Sequence, residues 1–167
     1  MKIAITDLKD YNEGILQYEW IDLETCSTAD EISEYISNFL DKRSKETHEL
    51  HEEWFVTDYE DFVDLGEYPS LEEVEKAVKL SKEYTPEIVS KYYSSFQEFD
   101  NLEELYNGVY DSEEDFAYQI AHEIYSEKDL GVLSTYLDYE RFAKDLFIND
   151  YSSEKLENHK IAVFRRF

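Results

Sequence analysis

Apolar and polar positions along the chain change period several times, and each change predicts an element. Lys2 to Thr6 predicts a short strand, Asn12-Glu13-Gly14 carries turn chemistry, and Ile15 to Asp22 predicts a second strand. Thr28-Ala29-Asp30-Glu31 then has the form of a capping box, in which a hydroxyl and a carboxylate satisfy the first free amides of a helix. Behind it Ile32, Tyr35, Ile36, Phe39 and Leu40 fall on one helical face. The polar stretch Asp41 to His51 predicts a loop, or a frayed extension of that helix. Trp54-Phe55-Val56, inside Glu53 to Tyr59, predicts a third strand.

The middle of the chain changes to helical spacing throughout. Ser70 is placed as an N-cap with Glu73 at the third helical position, and Leu71, Val74 and Val78 lie along one side. Thr85-Pro86 opens another helix with proline at its first position, where the missing amide does no harm. Ile88, Val89, Tyr92, Tyr93 and Phe96 form its apolar side. Further on, Asn101 and Ser112 read as N-caps, with Glu104 and Asp115 three residues later, and Phe116, Ile120 and Ile124 mark a buried side. Asp138 caps a helix carrying Phe142, Leu146 and Phe147, and Lys160 to Phe164 closes the chain as a strand. The resulting expectation is an α+β protein of three small units: α/β over 1–66, all-helical over 67–99 and α/β over 100–167. With four Gly and two Pro there is no flexible linker, so the units are expected to pack end to end.

Composition narrows the function classes. The 167 residues include 16 Lys+Arg and 41 Asp+Glu, a formal net charge of −25. Such a chain is repelled by polyphosphate and anionic lipid, which argues against direct binding to nucleic acid or a membrane surface. Aromatic residues make up 16% and hydrophobic residues 42%, too many for a disordered acidic tail. Cys26 is the single cysteine, so no intrachain disulfide forms, and the start carries no apolar run of signal-peptide length. A cytoplasmic location is the expectation.

The position of the missing cations matters more than the total. Residues 10–41 hold nine acids, 46–75 hold twelve and 92–127 hold ten, with no Lys or Arg in any of the three windows. Ordinary surfaces mix both signs, because like charges on neighbouring positions destabilise by a few tenths of a kcal/mol per pair. Tolerating that repulsion makes sense if the surface imitates something anionic. Duplex DNA carries one charge per roughly 1.7 Å, so the net charge matches about 43 Å of duplex. A solvated acidic face and a carrier for a basic protein remain open on composition alone.

Catalytic and metal chemistry finds little support. His48 and His51 lie near Glu49, Glu52 and Glu53, a set with metal-ligand residue types but without the His-Glu-x-x-His spacing or a second cluster. Asp58 to Asp61 and Asp111 to Asp115 are acidic but lack the glycine and spacing of an EF-hand. There is no phosphate-binding glycine loop and no nucleophile elbow. The expectation is no enzyme, no cofactor, no metal and no catalytic residue.

Several segments resemble one family in order. Ile5 to Gly14 followed by Glu19-Trp20-Ile21-Asp22 resembles the first strand, Tyr-Asn-x-Gly turn and Trp-containing second strand of the ArdA antirestriction proteins. Glu52 to Glu60 is similar to their Glu-Glu-(aromatic)…Asp-Tyr-Glu segment, with Thr57 where many members carry His. Glu67 to Glu73 is similar to the entry into their middle helices, Tyr136 to Leu146 to their Tyr-Ile-Asp-Tyr signature, and Val163-Phe164 to their closing strand. Ile124 to Asp129 matches the family's acidic antirestriction motif poorly, and Lys128 intrudes on it.

The resemblance implies an elongated three-part fold, a small antiparallel sheet in each terminal unit, and a homodimer formed through the C-terminal part. It also implies that the protein mimics bent duplex DNA, occupies the DNA-binding groove of type I restriction–modification enzymes, and protects incoming mobile DNA. The alternative is an acidic binding module for another basic or DNA-binding host protein. The residues expected to present the charge are Asp58, Glu60, Asp61, Asp64, Glu67, Glu103, Glu104, Asp111, Glu113, Glu114, Asp115, Glu123 and Glu127.

Overall fold

The computed structural model describes residues 1–125 and 130–166, with the backbone alone at 133 and 135. The chain divides into two compact units, Met1–Phe99 and Asp100–Phe167. Both are mixed α and β, and each is built on a three-stranded antiparallel sheet.

In the first unit, β1 (Lys2–Asp7) lies between β2 (Tyr18–Asp22) and β3 (Trp54–Glu60). Ile3 and Ile5 of the central strand are fully buried, as is Ile21 opposite Ile3. The helix α2 (Ala29–Thr47) buries Ile32, Ile36, Phe39 and Leu40 and leaves Tyr35 exposed. The helix begins where the sequence placed it. The Thr28 side chain accepts from the Glu31 amide, and the Glu31 carboxylate accepts from the Thr28 amide.

The helix continues through most of the stretch read as a loop or frayed end, stopping at Thr47 with His48 in the left-handed conformation (φ 59°). A second departure precedes it. Asp7 caps a short helix, α1 (Leu8–Asn12), where only turn chemistry was legible. The strand expected from Ile15 starts later, at Tyr18.

The segment expected as a helical unit is a two-helix hairpin, α3 (Leu71–Tyr84) and α4 (Pro86–Phe96), and it falls within the first compact unit. Ser70 and Glu73 form a reciprocal cap, and Pro86 occupies the first turn of α4. Val74, Ala77, Val78, Ile88, Val89 and Tyr92 are buried in the hairpin. Glu75 of α3 accepts from the Ala29 amide at the start of α2 at 2.7 Å, so an acid on one helix satisfies a free donor on another.

In the second unit α5 (Leu102–Leu105) leads directly into β4 (Tyr106–Tyr110), followed by α6 (Glu113–Ile124). A 3₁₀ turn at Gly131–Tyr136 precedes α7 (Tyr139–Asn149), β5 (Tyr151–Lys155) and β6 (Ile161–Arg165). The sheet order is β4-β6-β5. Its core gathers Phe116, Ile161 and Val163, flanked by Tyr110, Ile120, Leu146, Phe147 and Tyr151. Phe116 stands edge-on to Tyr110, Phe147 and Tyr151, with ring centroids 4.9, 5.6 and 4.7 Å away. Ile124, read as part of the buried side of α6, is 64% exposed instead.

Among the described residues no helix is long and apolar enough to cross a membrane.

Candidate anionic interaction surface

The charge-presenting surface of the first unit begins at β3, an edge strand of its sheet. After Glu60 the chain turns at Asp61, whose φ of 50° is left-handed, and doubles back along the strand. Three bonds hold the return. The Val56 amide donates to the Glu67 carbonyl at 2.8 Å, the Tyr59 hydroxyl donates to the Gly66 carbonyl at 2.6 Å, and the Gly66 amide donates to Asp64 Oδ1 at 2.8 Å. Phe62 and Val63 are buried, and the Phe62 ring stacks on Tyr59. Burial pushes the Tyr59 hydroxyl well above the usual tyrosine range, so it remains a proton donor. This apolar anchor lets the polar residues face outward. Asp58, Asp64 and Glu67 consequently line one open groove of about 400 Å³, with Asp61 exposed at the turn.

No basic side chain lines that groove. Glu60 is different, because Lys2 reaches across from β1 and pairs with it at 2.6 Å. Of the five acids expected in this stretch, four are exposed without an ion pair among the described residues, and one is partly neutralised.

The second unit brings together a different set. Asp111, Glu113 and Glu114 line an open groove of about 590 Å³, which also holds Glu140 of α7. Lys144, Lys155 and His159 line the same groove. Lys160 pairs with Asp111 at 2.9 Å, Lys144 pairs with Glu140 at 2.6 Å, and Glu113 accepts from the Ser153 hydroxyl at 2.6 Å. The acidic track here is met by cations arriving from α7 and the β5–β6 hairpin. Glu114 is exposed, while Asp115 is half-buried and its amide is capped by Ser112. Glu103 and Glu104 are exposed on α5, and Glu123 is exposed near the end of α6. Glu127 lies outside the described residues, as does most of the segment compared with the family's acidic motif.

Three cations of the first unit engage acids outside the groove beside β3. Arg43, in the stretch read as a loop, is buried, and its Nε donates to Asp10 of α1 at 2.6 Å. One of its terminal nitrogens donates to Glu46. Lys9 pairs with Glu49, and Lys42 pairs with Glu19 at 3.2 Å. These cations serve contacts inside the fold or along the α2 side of the sheet.

His51 is also buried, and its Nδ1 lies 2.9 Å from Oδ2 of the fully buried Asp7. Its expected neighbours Glu52 and Glu53 are exposed, so the candidate metal set read from the sequence is not assembled. Asp7, Asp10 and His51 do bring potential ligand atoms within 4.8 Å of one another. Arg43 already supplies a positive charge at Asp10, so a cation would face a guanidinium there. Sequence reading missed this cluster because His51 lies more than forty residues from Asp7 and Asp10 and the surrounding acids gave no contrast.

Comparison with known proteins gives one family. The model of the family described as antirestriction protein (ArdA) matches residues 3–157. No curated protein and no solved structure gives a significant match.

Proposed function

Because the chain belongs to the ArdA antirestriction family, we propose that it acts by offering carboxylates in place of phosphates to the DNA-binding groove of a type I restriction–modification enzyme. It then protects incoming mobile DNA by occupancy, with no bond made or broken and no cofactor. The observation that supports this most is the groove beside β3. There Asp58, Asp64 and Glu67 line one groove with Asp61 exposed beside them, and among the described residues no basic side chain lines it. A basic groove meeting such a surface releases the counterions of both partners, so binding is steep in salt, as it is for DNA.

Distribution over many charges is part of the proposal. Exposed ion pairs contribute about 0.2–1 kcal/mol each, so potency comes from number and spacing rather than from any single residue. The second unit is proposed as the dimerisation part. Ile124, Val132, Tyr136 and Ile148 are 64, 77, 80 and 65% exposed there, an apolar content that a second copy would cover. The site of action is then the cytoplasm, where the enzyme meets entering DNA.

The test is cleavage and methylation by a purified type I enzyme at several concentrations of protein, DNA and salt. The expected outcome is inhibition that excess DNA relieves and that weakens as salt rises. Inhibition indifferent to DNA concentration would refute competition. No effect on either activity would leave the alternative of a different basic host protein.

A further inference from the structure

The two faces of the first sheet are covered differently. Alternation along β1 puts Ile3 and Ile5 on one face of the sheet and Lys2, Ala4 and Thr6 on the other. On that other side Ala4 is opposite Trp20 of β2 in one direction and opposite Asp58 of β3 in the other. Strands lie about 4.8 Å apart, so an indole and a carboxylate flank a methyl-sized floor across roughly 10 Å. Ala4 and Thr6 form the base of a slot of about 320 Å³ whose lip includes Tyr11, Leu16 and Tyr18. Those three lip residues are 50, 80 and 59% exposed.

The polar groups of the floor are already satisfied. The Thr6 and Thr57 hydroxyls are 3.1 Å apart, and the Thr57 hydroxyl also donates to the Ala4 carbonyl. No Lys, Arg or His lines the slot, and the one basic residue on this face of the central strand, Lys2, is held by Glu60. Among the described residues, the exposed Asp58 carboxylate is seen to accept from the adjacent Tyr59 amide alone. An acidic, cation-free slot walled by an indole is complementary in both charge and surface to one kind of side chain.

We propose that this slot receives an arginine side chain of the protein's target, with the guanidinium stacked on Trp20 and paired with Asp58. The proposal rests on the reading of that target as a DNA-binding enzyme, whose groove is rich in arginine for gripping phosphates. Guanidinium is planar and weakly hydrated, stacks on aromatic faces and binds carboxylates through two parallel donors, whereas the lysine ammonium is a strongly hydrated point charge. Phosphate offers an arginine charge and paired hydrogen bonds but no aromatic face. The indole adds to the distributed charges one apolar contact that salt does not screen.

The full-length isotope-labelled protein is titrated with acetyl-Ser-Arg-Ser-amide and separately with the same peptide carrying citrulline, the uncharged isostere of arginine. The expected result is a progressive shift of the Trp20 indole N–H with the arginine peptide and a response at least about tenfold weaker with citrulline. Trp54, which does not line the slot, serves as the internal reference. An unmoved Trp20 resonance, or equal responses to the two peptides, overturns the proposal. Asp58→Asn, at an exposed position, is expected to weaken the arginine response about fivefold, and an unchanged response overturns the pairing. The outcome is separable from the proposed function. Failure to inhibit a type I enzyme removes that target without touching the titration, while inhibition with an unresponsive Trp20 removes the slot and leaves mimicry standing.

Discussion

The two units carry acids at similar density in sequence but not on the folded surface. In the first, Arg43 is drawn into the interior, Lys9 and Lys42 bind acids away from β3 and Lys2 takes Glu60, while Asp58, Asp61, Asp64 and Glu67 face solvent without an ion pair among the described residues. In the second, Asp111–Glu114, from a window free of Lys and Arg, is brought against Lys144, Lys155 and Lys160, which are distant in sequence. A linear gap in positive charge is thus a poor guide to an anionic surface wherever a hairpin returns from elsewhere in the chain. What distinguishes the units is the destination of the cations.

The largest effect tests that destination. Arg43→Ala leaves Asp10 buried without its partner and is expected to destabilise the first unit by about 3–5 kcal/mol, measured by urea denaturation. Asp10→Leu combined with Arg43→Met is expected to recover most of that loss, because replacing both ions removes the unpaired charge. If Arg43→Ala changes the midpoint no more than a surface substitution does, the interior role of the cation is wrong.

A second experiment weighs the two surfaces against each other. Changing Asp58, Asp61, Asp64 and Glu67 together to Asn or Gln removes four unpaired charges. At about 0.5 kcal/mol each, inhibition of a type I enzyme is expected to weaken roughly 30-fold and to become less steep in salt. The matching change of Asp111, Glu113, Glu114 and Glu140 removes four charges of which two are paired with Lys160 and Lys144 and a third accepts from Ser153, and is expected to weaken inhibition several-fold less. Equal losses would show that neighbouring cations do not shield the second groove.

How much of this was readable in advance follows from what sequence periodicity can encode. The two capping boxes and the Pro86 start were legible because a cap is a local reaction between side chain and backbone a few residues apart. The strand at Tyr106–Tyr110 was not, since its Asn107-Gly108 reads as a turn. In the fold it marks a register shift against β6, with Gly108 at φ 110°. The strand at Tyr151–Lys155 was hidden by polar composition, which an edge strand with half-buried side chains permits. Arg43 was hidden because the polar stretch around it looked solvated, and only the fold brings Asp10 to it.

The acids of the candidate site were legible as a set, but their pairing was not. Glu60 and Asp111 lose their isolation to lysines 58 and 49 residues away in the chain, Lys2 and Lys160.

The caps extend the comparison at smaller scale. Thr28 belongs to a reciprocal box, whereas in the second unit Ser112 accepts from the Asp115 amide with no return bond from Asp115 among the described contacts. Thr28→Ala is expected to destabilise by about 1 kcal/mol and Ser112→Ala by about half as much, read from thermal melts of each variant. A larger loss at Ser112 would mean that the second unit depends on its cap more than the geometry indicates.

The smallest effect concerns pH and separates structural acids from those that present charge. The Ser27 amide, then the Thr28 amide, donates to the Glu31 carboxylate and holds its pKa below the usual carboxylate range. A carboxyl whose folded value is depressed contributes stability above its unfolded pKa, about 4.3, and loses it as pH falls through the lower folded value. Glu31→Gln is therefore expected to lower the melting temperature modestly at neutral pH. The gap to the parent protein should close as the medium is acidified below about pH 4, where the parent's own Glu31 takes up a proton. Asp61→Asn supplies the contrast, since no amide within the fold is seen to donate to that exposed carboxylate. Its effect on inhibition should exceed its effect on stability. A Glu31→Gln gap that stays constant from neutral to acidic pH would show that the box acts through shape and hydrogen bonding alone. The negative charge of that carboxylate would then belong with the presenting acids rather than with the fold.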